Sequence, residues 1–557
     1  MYHCLPYSRP LHFPLTIAVD TQHDLQALNR ITSGRWLWNE KQQFAARYLP
    51  VNVPKLLKLA AAAMGASSVA EVVSLSEGQY NKVLQLTMDD GRQVIAKLPN
   101  PNAGRPYFTT ASEVATMDFL RNVVKLPVPE IYAWSSRSSE NPIGAEYILM
   151  EKQSGIPLDD VWATMHGKQK AQLVLQIVEF EKTLAATKLT KSGSLYYADD
   201  VPAAETGPLY IDEHGSEVRS TKFAIGPTNH RHFFDFGRGD LQFDRGPWSS
   251  ITEYLAAVAR KEIVTAKAGL HYPLMPEGLF RGPRQYQPTI EKKLSALQNY
   301  LKVAAHVVPD DTATHASVLW HGDLHLQNIF VDPEDHSKIT GIIDWQSVSA
   351  CPLFMHTRHP AFLEFDGPTP ENLGRVSLPA NYDSLDPAEQ QKAKDLQQAQ
   401  TLHNLYLARS LQVNPTVFHA IQNQATLRHQ VSVIPSLTLL DYEPCLNNHL
   451  RDVQTAWGSI VGTNPDGSPR IPCPLDFSNE EVKLQEADEE LWARGVTLME
   501  EFIADAGGFK HWDGRVTEAD YALSRKQLDE GVERFLGREV RSEEEREAWR
   551  RAMPFVD

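Results

Sequence analysis

The stretch that most constrains this chain is HGDLHLQNIFVDPEDHSKITGIIDW, residues 321–345. Two short apolar runs meet at a Pro-Glu-Asp-His turn, which suits a hairpin. Asp323 stands five residues before Asn328, and Asp344 sixteen residues after it. Phosphoryl transfer from ATP needs a carboxylate to receive a hydroxyl proton. It also needs an amide oxygen and a second carboxylate to hold Mg²⁺, because magnesium takes hard oxygen ligands. His321 and His325 flank Asp323, and a His-x-Asp-x-His string also suits a transition metal. What stands upstream disfavours that alternative and leaves His325 a bracing role in the loop.

Lys97 lies on VIAKLP, a strand that follows an Asp89-Asp90-Gly91 hairpin turn. Glu113 follows on the helix TTASEVATMDFL, where Val114, Met117, Leu120 and Val124 recur at helical spacing. The turn SEGQYNKV precedes both and has one glycine, Gly78, in place of G-x-G-x-x-G. Nucleotide contact there would rest on backbone N–H groups and on Ser76, Gln79 and Asn81. YILMEK, residues 147–152, reads as a buried strand with Met150 at the place of an adenine-binding hinge. Taken singly, each residue has a bland explanation: a strand lysine, a solvated helix glutamate, a common Asp-Gly turn. Together, Lys, Glu, hinge, Asp, Asn and Asp follow the order of a protein kinase-like fold. The expected class is α+β and two-lobed. A small mixed N-lobe with an antiparallel sheet and one helix precedes a large, mainly helical C-lobe.

The string His-Gly-Asp-x-His-x-x-Asn, with Ile-Asp-Trp after it, resembles the aminoglycoside phosphotransferase and choline kinase-like superfamily. Longer stretches are similar to the fungal altered inheritance of mitochondria protein 9 family over roughly residues 30–530. Among them are SGRWLWNEKQQFAARYLPVNVPKL and IGPTNHRHFFDFGRGDLQFDRGPW. The resemblance implies ATP and Mg²⁺ as cofactors, with Asp323, Lys97 and Glu113 as catalytic residues. Ser76, Gly78, Gln79, Asn81, Lys97 and Met150 would contact the nucleotide, and Asn328 and Asp344 the metal. The γ-phosphoryl group would pass to a hydroxyl of a small molecule that the resemblance does not identify. It implies a mitochondrial address, with the cytoplasm as the alternative. The competing function is a non-catalytic nucleotide-binding protein with a maintenance or scaffold role. Its hallmark would be a lost catalytic residue, and all five are present. The missing Gly-rich loop and Ala-Pro-Glu element disfavour a protein kinase.

Composition narrows the remaining classes. Lys plus Arg is 54 against 70 for Asp plus Glu, a net charge of −16, which disfavours a nucleic-acid binder. The four cysteines, at 4, 351, 445 and 473, form no CxxC pair, so neither a zinc ribbon nor a disulfide framework is expected. No run of 18 apolar residues marks a membrane span. Arg9 without an acid before Asp20 is a transit-peptide feature, opposed by Pro6, Pro10 and Pro14.

The expected divisions are an extension at 1–70, an N-lobe at 71–152, a C-lobe at 153–475 and a helical extension at 476–557. Residues 191–250 read as a long loop, expected to form an acceptor-side wall or lid. Within them, Asp235-Phe236-Gly237 spells a kinase metal motif but stands 88 positions before Asp323, on the wrong side of the catalytic loop.

Overall fold

The computed structural model describes residues 15–17, 28–30, 32, 34–75, 78–201, 207–271, 281–507 and 514–553. Six antiparallel strands form the N-lobe sheet: β1 (Leu15–Ile17), β2 (Val69–Ser74), β3 (Asn81–Met88), β4 (Gln93–Pro99), β5 (Ile131–Ser135) and β6 (Tyr147–Glu151). Their order in space is β1-β2-β3-β4-β6-β5. The β3–β4 hairpin closes through the expected turn, with Gly91 at φ 84°, a left-handed conformation that glycine adopts at no steric cost. Along β3, Leu84, Leu86 and Met88 face one way and are buried. They pack with Leu56, Leu57, Ala60 and Ala61 of helix α1 (Val53–Met64). That helix begins where Asn52 caps the Lys55 N–H and ends at left-handed Gly65, so its limits are local in origin. The opposite face of the sheet carries helix α2 (Phe108–Phe119), in which nearly every residue is buried.

The C-lobe is mainly helical. Its longer helices are α3 (Gly167–Ala186), α4 (Ile251–Lys267), α5 (Ile290–Val303), α6 (Pro387–Val413) and α7 (Glu443–Thr455). Beyond them run α8 (Asn479–Asp505), α9 (Tyr521–Glu539) and α10 (Glu543–Ala552). Capping boxes at Ser250, Asp386 and Ser478 start α4, α6 and α8. One large core joins α2, α3 and α6 to the hairpin of residues 329–342, and so ties the lobes together.

The segment 191–250 departs from the loop expected of it. Besides the short antiparallel strands Tyr210–Ile211 and Glu217–Val218, its described residues hold the antiparallel strands β7 (Ser194–Tyr197) and β8 (Phe223–Gly226). Each is four residues long, too short for its alternation to stand out between Gly, Pro and Ser. The pair lies on α2: the Tyr197 hydroxyl and the Lys222 ammonium both reach Asp118 Oδ2 at 2.6 Å.

The two ends of the described chain meet. Arg35–Trp36 pairs with Arg515–Val516, and Leu37 and Trp38 share a core with Phe502, Phe535 and Trp549. Among the described residues no helix is long and apolar enough to cross a membrane.

Candidate active site

Lys97 stands on β4 with its side chain on the α2 face, because its neighbours Ala96 and Leu98 fill the core on the other. Its ammonium donates to Glu113 Oε1 at 2.6 Å and to Asp344 Oδ1 at 2.9 Å. Lys97 and Glu113 are buried, whereas the Asp344 side chain keeps 39% of its surface open. Burial raises the Glu113 pKa, and the ammonium beside it only partly offsets that. Burial acts the same way on Asp344, but Lys97 outweighs it and holds that carboxyl below its ordinary value.

Asp344 follows the strand β10 (Ile339–Ile342), which pairs antiparallel with β9 (Ile329–Val331) in the expected hairpin. Its φ is 64°. A left-handed non-glycine residue is uncommon, and such strain gathers at functional sites. The neighbouring Ile343 fixes the loop of residues 321–328: its N–H donates to the Asn328 carbonyl at 3.0 Å, and its carbonyl accepts from His321 Nε2 at 2.9 Å. His321 Nδ1 in turn accepts the Asp323 N–H at 3.3 Å. The ring is therefore the neutral Nε2–H tautomer, consistent with a pKa that burial lowers. Asn328 is buried and donates from Nδ2 to the Asp323 carbonyl at 2.9 Å, which leaves its Oδ1 for another partner. The Asp323 side chain is 73% exposed and lies 3.7 Å from His325 Nε2. His325 Nδ1 accepts the Gln327 N–H, so the ring braces the loop.

The donor set suits magnesium. Asp344 and Asn328 present oxygens, and Mg²⁺ commonly takes one or two protein ligands and completes its octahedron with phosphate and water. No group of three His, Cys, Asp or Glu side chains forms an all-protein metal centre among the described residues. Three buried polar atoms of the cleft also lack partners: Glu113 Oε2, Asn81 Oδ1 and Gln346 Nε2. Orphaned buried groups of this kind mark a place for a polar ligand.

Residues 71–244 and 265–354 match the phosphotransferase enzyme family. The subtelomeric hrmA-associated cluster protein of Aspergillus fumigatus is 32% identical over 464 residues, 77% of this chain and 86% of its own. This chain belongs to the phosphotransferase enzyme family. Altered inheritance of mitochondria protein 9 of Yarrowia lipolytica is 24% identical over 520 residues, 87% of this chain and 86% of its own. The resemblance read from the sequence thus holds, and so does the two-lobed α+β fold. The ADP-bound aminoglycoside phosphotransferase APH(2'')-Ib is similar at 11% identity, over 80% of this chain and 97% of its own, with a TM-score of 0.33. That likeness is too distant to add to the sheet order above.

The remaining residues expected at the site are Asn81, Gln79, Met150, Gly78 and Ser76. Asn81 is drawn in: its Nδ2 donates to Gln346 Oε1 at 2.7 Å, two residues past Asp344. Gln79 takes part through its backbone, the carbonyl accepting from Asn102 Nδ2 at 3.3 Å. Met150 is half-buried on β6, opposite Ile95 of β4 and beside the core that spans the lobes. Gly78 has open space where a Cβ would stand, so nothing in its surroundings requires glycine. Ser76 lies outside the described residues.

Asp235 is committed elsewhere, its Oδ2 accepting from Arg231 Nε at 2.8 Å. Its neighbours brace the same loop. Arg238 Nη2 meets both Glu262 oxygens at 2.8 and 2.9 Å, Asp244 accepts from Trp248 Nε1, and Arg245 donates to backbone carbonyls. Gln346 and Asn102 were missed because adjacency to Asp344 or to the turn is their only signal in the sequence. Arg231 was missed too. It lies within the 191–250 insert, and its guanidinium stacks on the Tyr80 ring at 3.7 Å. The apolar groove between α3 and α6, lined by Phe180 and Leu405, shares no residue with this constellation.

Proposed function

We propose that this chain transfers the γ-phosphoryl group of ATP to a hydroxyl of a small-molecule acceptor. The observation that carries the reading is the Lys97 ammonium held 2.6 Å from Glu113 and 2.9 Å from Asp344, with Asp344 tied through Ile343 to the Asp323–Asn328 loop. Glu113 orients Lys97 toward the α- and β-phosphates. Asn328 and Asp344 would hold Mg²⁺, which when bound neutralises charge on the phosphates. Asp323, exposed and aligned through its own backbone by His321, accepts the hydroxyl proton. Asn81, Gln79 and Gly78, with Ser76, cover the phosphates, and Met150 lines the adenine side. Residues 71–152 act as the small lobe and 153–475 as the large one. The insert at 191–250 forms the acceptor-side wall, and 476–557 is a helical addition. The printed name of the Yarrowia relative supports a mitochondrial address over a cytoplasmic one.

The test is purified protein with labelled ATP, magnesium and a metabolite extract. General-base positioning contributes roughly 10²–10⁴-fold. Asp323→Ala should lose at least that much transfer while still binding nucleotide. Asp344→Ala should weaken nucleotide binding in a magnesium-dependent way. Transfer at the wild-type rate in Asp323→Ala would refute the assignment. Nucleotide binding without any Asp323-dependent transfer would make the chain a non-catalytic binder.

A further inference from the structure

The acceptor side of the cleft is built from cations and histidines. At one end Arg231 lies on the Tyr80 ring, in the turn between Gln79 and Asn81. At the other, the His356 ring stands 6.4 Å from that of Trp320, three residues before Asp323. His230 bridges the two, close enough for Arg231, Arg358 and Lys261 to act on it and for it to act on His356. The patch thus touches Tyr80 through Arg231 and Trp320 through His356.

Its cations, Arg231, Lys261 and Arg358, outnumber the carboxylates beside them, Asp235 and Glu262. The titratable neighbours that act on His230 are Lys261, Arg358 and Arg231, and those that act on His356 are His230 and Arg358. Nearby acids are taken: Asp235 by Arg231, and Glu262 by Arg238 and Lys261. Arg358 is exposed and pairs with no carboxylate among the described residues. Asp159 and Asp200, one from each of two Asp-Asp pairs, are also engaged. Asp159 accepts from Gln327 Nε2, and Asp200 accepts from the Tyr107 hydroxyl.

Polar capacity is left over. Arg231 Nη1 and His356 Nε2 are buried without a hydrogen-bond partner. His230 Nδ1 accepts the His232 N–H, so its neutral ring carries its proton on Nε2, as a donor. Burial lowers His230 to about 4 and His356 to about 3, so both rings are neutral near pH 7; Arg231 shares its charge with Asp235, and Arg358 supplies the unpaired cation. A guanidinium with a spare N–H beside neutral imidazoles is a receptor for a carboxylate or phosphate group.

We propose that the phosphoryl acceptor is an anionic alcohol, whose carboxylate or phosphate is held by Arg231, His230, His356 and Arg358. The proposal rests on the reading of Asp323 as the acceptor base. A cationic alcohol would meet this wall unfavourably.

The test uses the full chain and four probes: gluconate, glycerol 3-phosphate, glycerol and choline. Each is titrated by calorimetry with and without the magnesium complex of a non-hydrolysable ATP analogue. Binding by an anion, with glycerol and choline silent, is expected, and which anion binds separates carboxylate from phosphate. Arg358→Gln, on an exposed residue, and His356→Gln should each weaken that binding about tenfold, the loss expected of one charge-assisted hydrogen bond. Affinity for the ATP analogue should stay unchanged in both. Choline binding with the anions silent, no anion binding at millimolar concentration, or anion affinity indifferent to both substitutions would overturn the proposal. Anion binding by a protein that binds no nucleotide would instead refute the kinase reading and leave the anion pocket standing.

Discussion

Glu113 is buried with one oxygen unpartnered, and its charge is tolerated because the Lys97 ammonium lies 2.6 Å from the other. Lys97→Met would strand that carboxyl, while Asp344, with its open face, could rehydrate. Losing one partner of a buried ion pair costs roughly 3–5 kcal/mol. Burial already raises the Glu113 pKa, and removing the cation would raise it further. The folded variant then keeps a proton that the unfolded chain releases, so its stability falls as pH rises. Urea unfolding should show a larger loss at pH 8 than at pH 5.5, and Lys97→Met/Glu113→Gln should recover most of it. No recovery in the double variant would move the cost elsewhere. Glu181 offers a second titration away from the cleft. Burial pushes it up to about 8, and the Tyr406 hydroxyl at 2.7 Å opposes this only in part. A raised folded pKa gives stability that is full below the unfolded value and is lost as pH rises to 8, at about 1.4 kcal/mol per unit. Glu181→Gln should flatten the urea midpoint between pH 5 and 8, and an unchanged slope would contradict the assignment.

At the scale of elements, the sequence was legible wherever the signal was local. The Asp386-Pro387 pair starts α6, with Asp386 Oδ1 accepting the Ala388 and Glu389 N–H groups at 2.9 Å and Glu389 returning to the Asp386 N–H. Asp386→Ala should cost about 1 kcal/mol. Because α6 carries Leu402 and Tyr406 into the main core, the cost should appear in the global melt as well as in helix content. A melting temperature equal to wild type would show that this end frays independently. Thr517 and Asp520 carry a cap-like signal one turn early. They exchange the bonds of a cap, yet α9 starts only at Tyr521, and Asp520 caps nothing with its side chain. The catalytic motif was readable because a loop and hairpin of fixed length set the spacing of Asp323, Asn328 and Asp344. Its partners were not: Asn81 reaches Gln346 across 265 positions, and Arg231 reaches Tyr80 from an insert whose strands are too short to register. Contacts made by tertiary closure leave no periodicity in the chain.

Closure of the whole molecule depends on a contact of that same kind. The Leu37 N–H donates to the Gly514 carbonyl at 3.0 Å, and Arg525 Nη1 donates back to the Leu37 carbonyl at 2.7 Å. Gly514 has φ 76°, and a Cβ added there would stand 2.7 Å from the Trp38 ring. Glycine is thus required twice, by backbone conformation and by the ring pressed against it. Gly514→Ala should therefore cost more than the ~1 kcal/mol of a left-handed alanine, since the ring must also give way. Trp38→Ala alone empties a buried site among Leu498, Phe502 and Trp549, at about 3–5 kcal/mol. The two changes share one contact and should not add. In the Trp38→Ala background the clash is gone, and Gly514→Ala should fall back to the backbone cost alone. Denaturant unfolding of the wild type, both single variants and the double variant measures the coupling directly. Strict additivity would mean that the ring and the turn do not bear on each other, and that the ends of the chain are held by strand pairing alone.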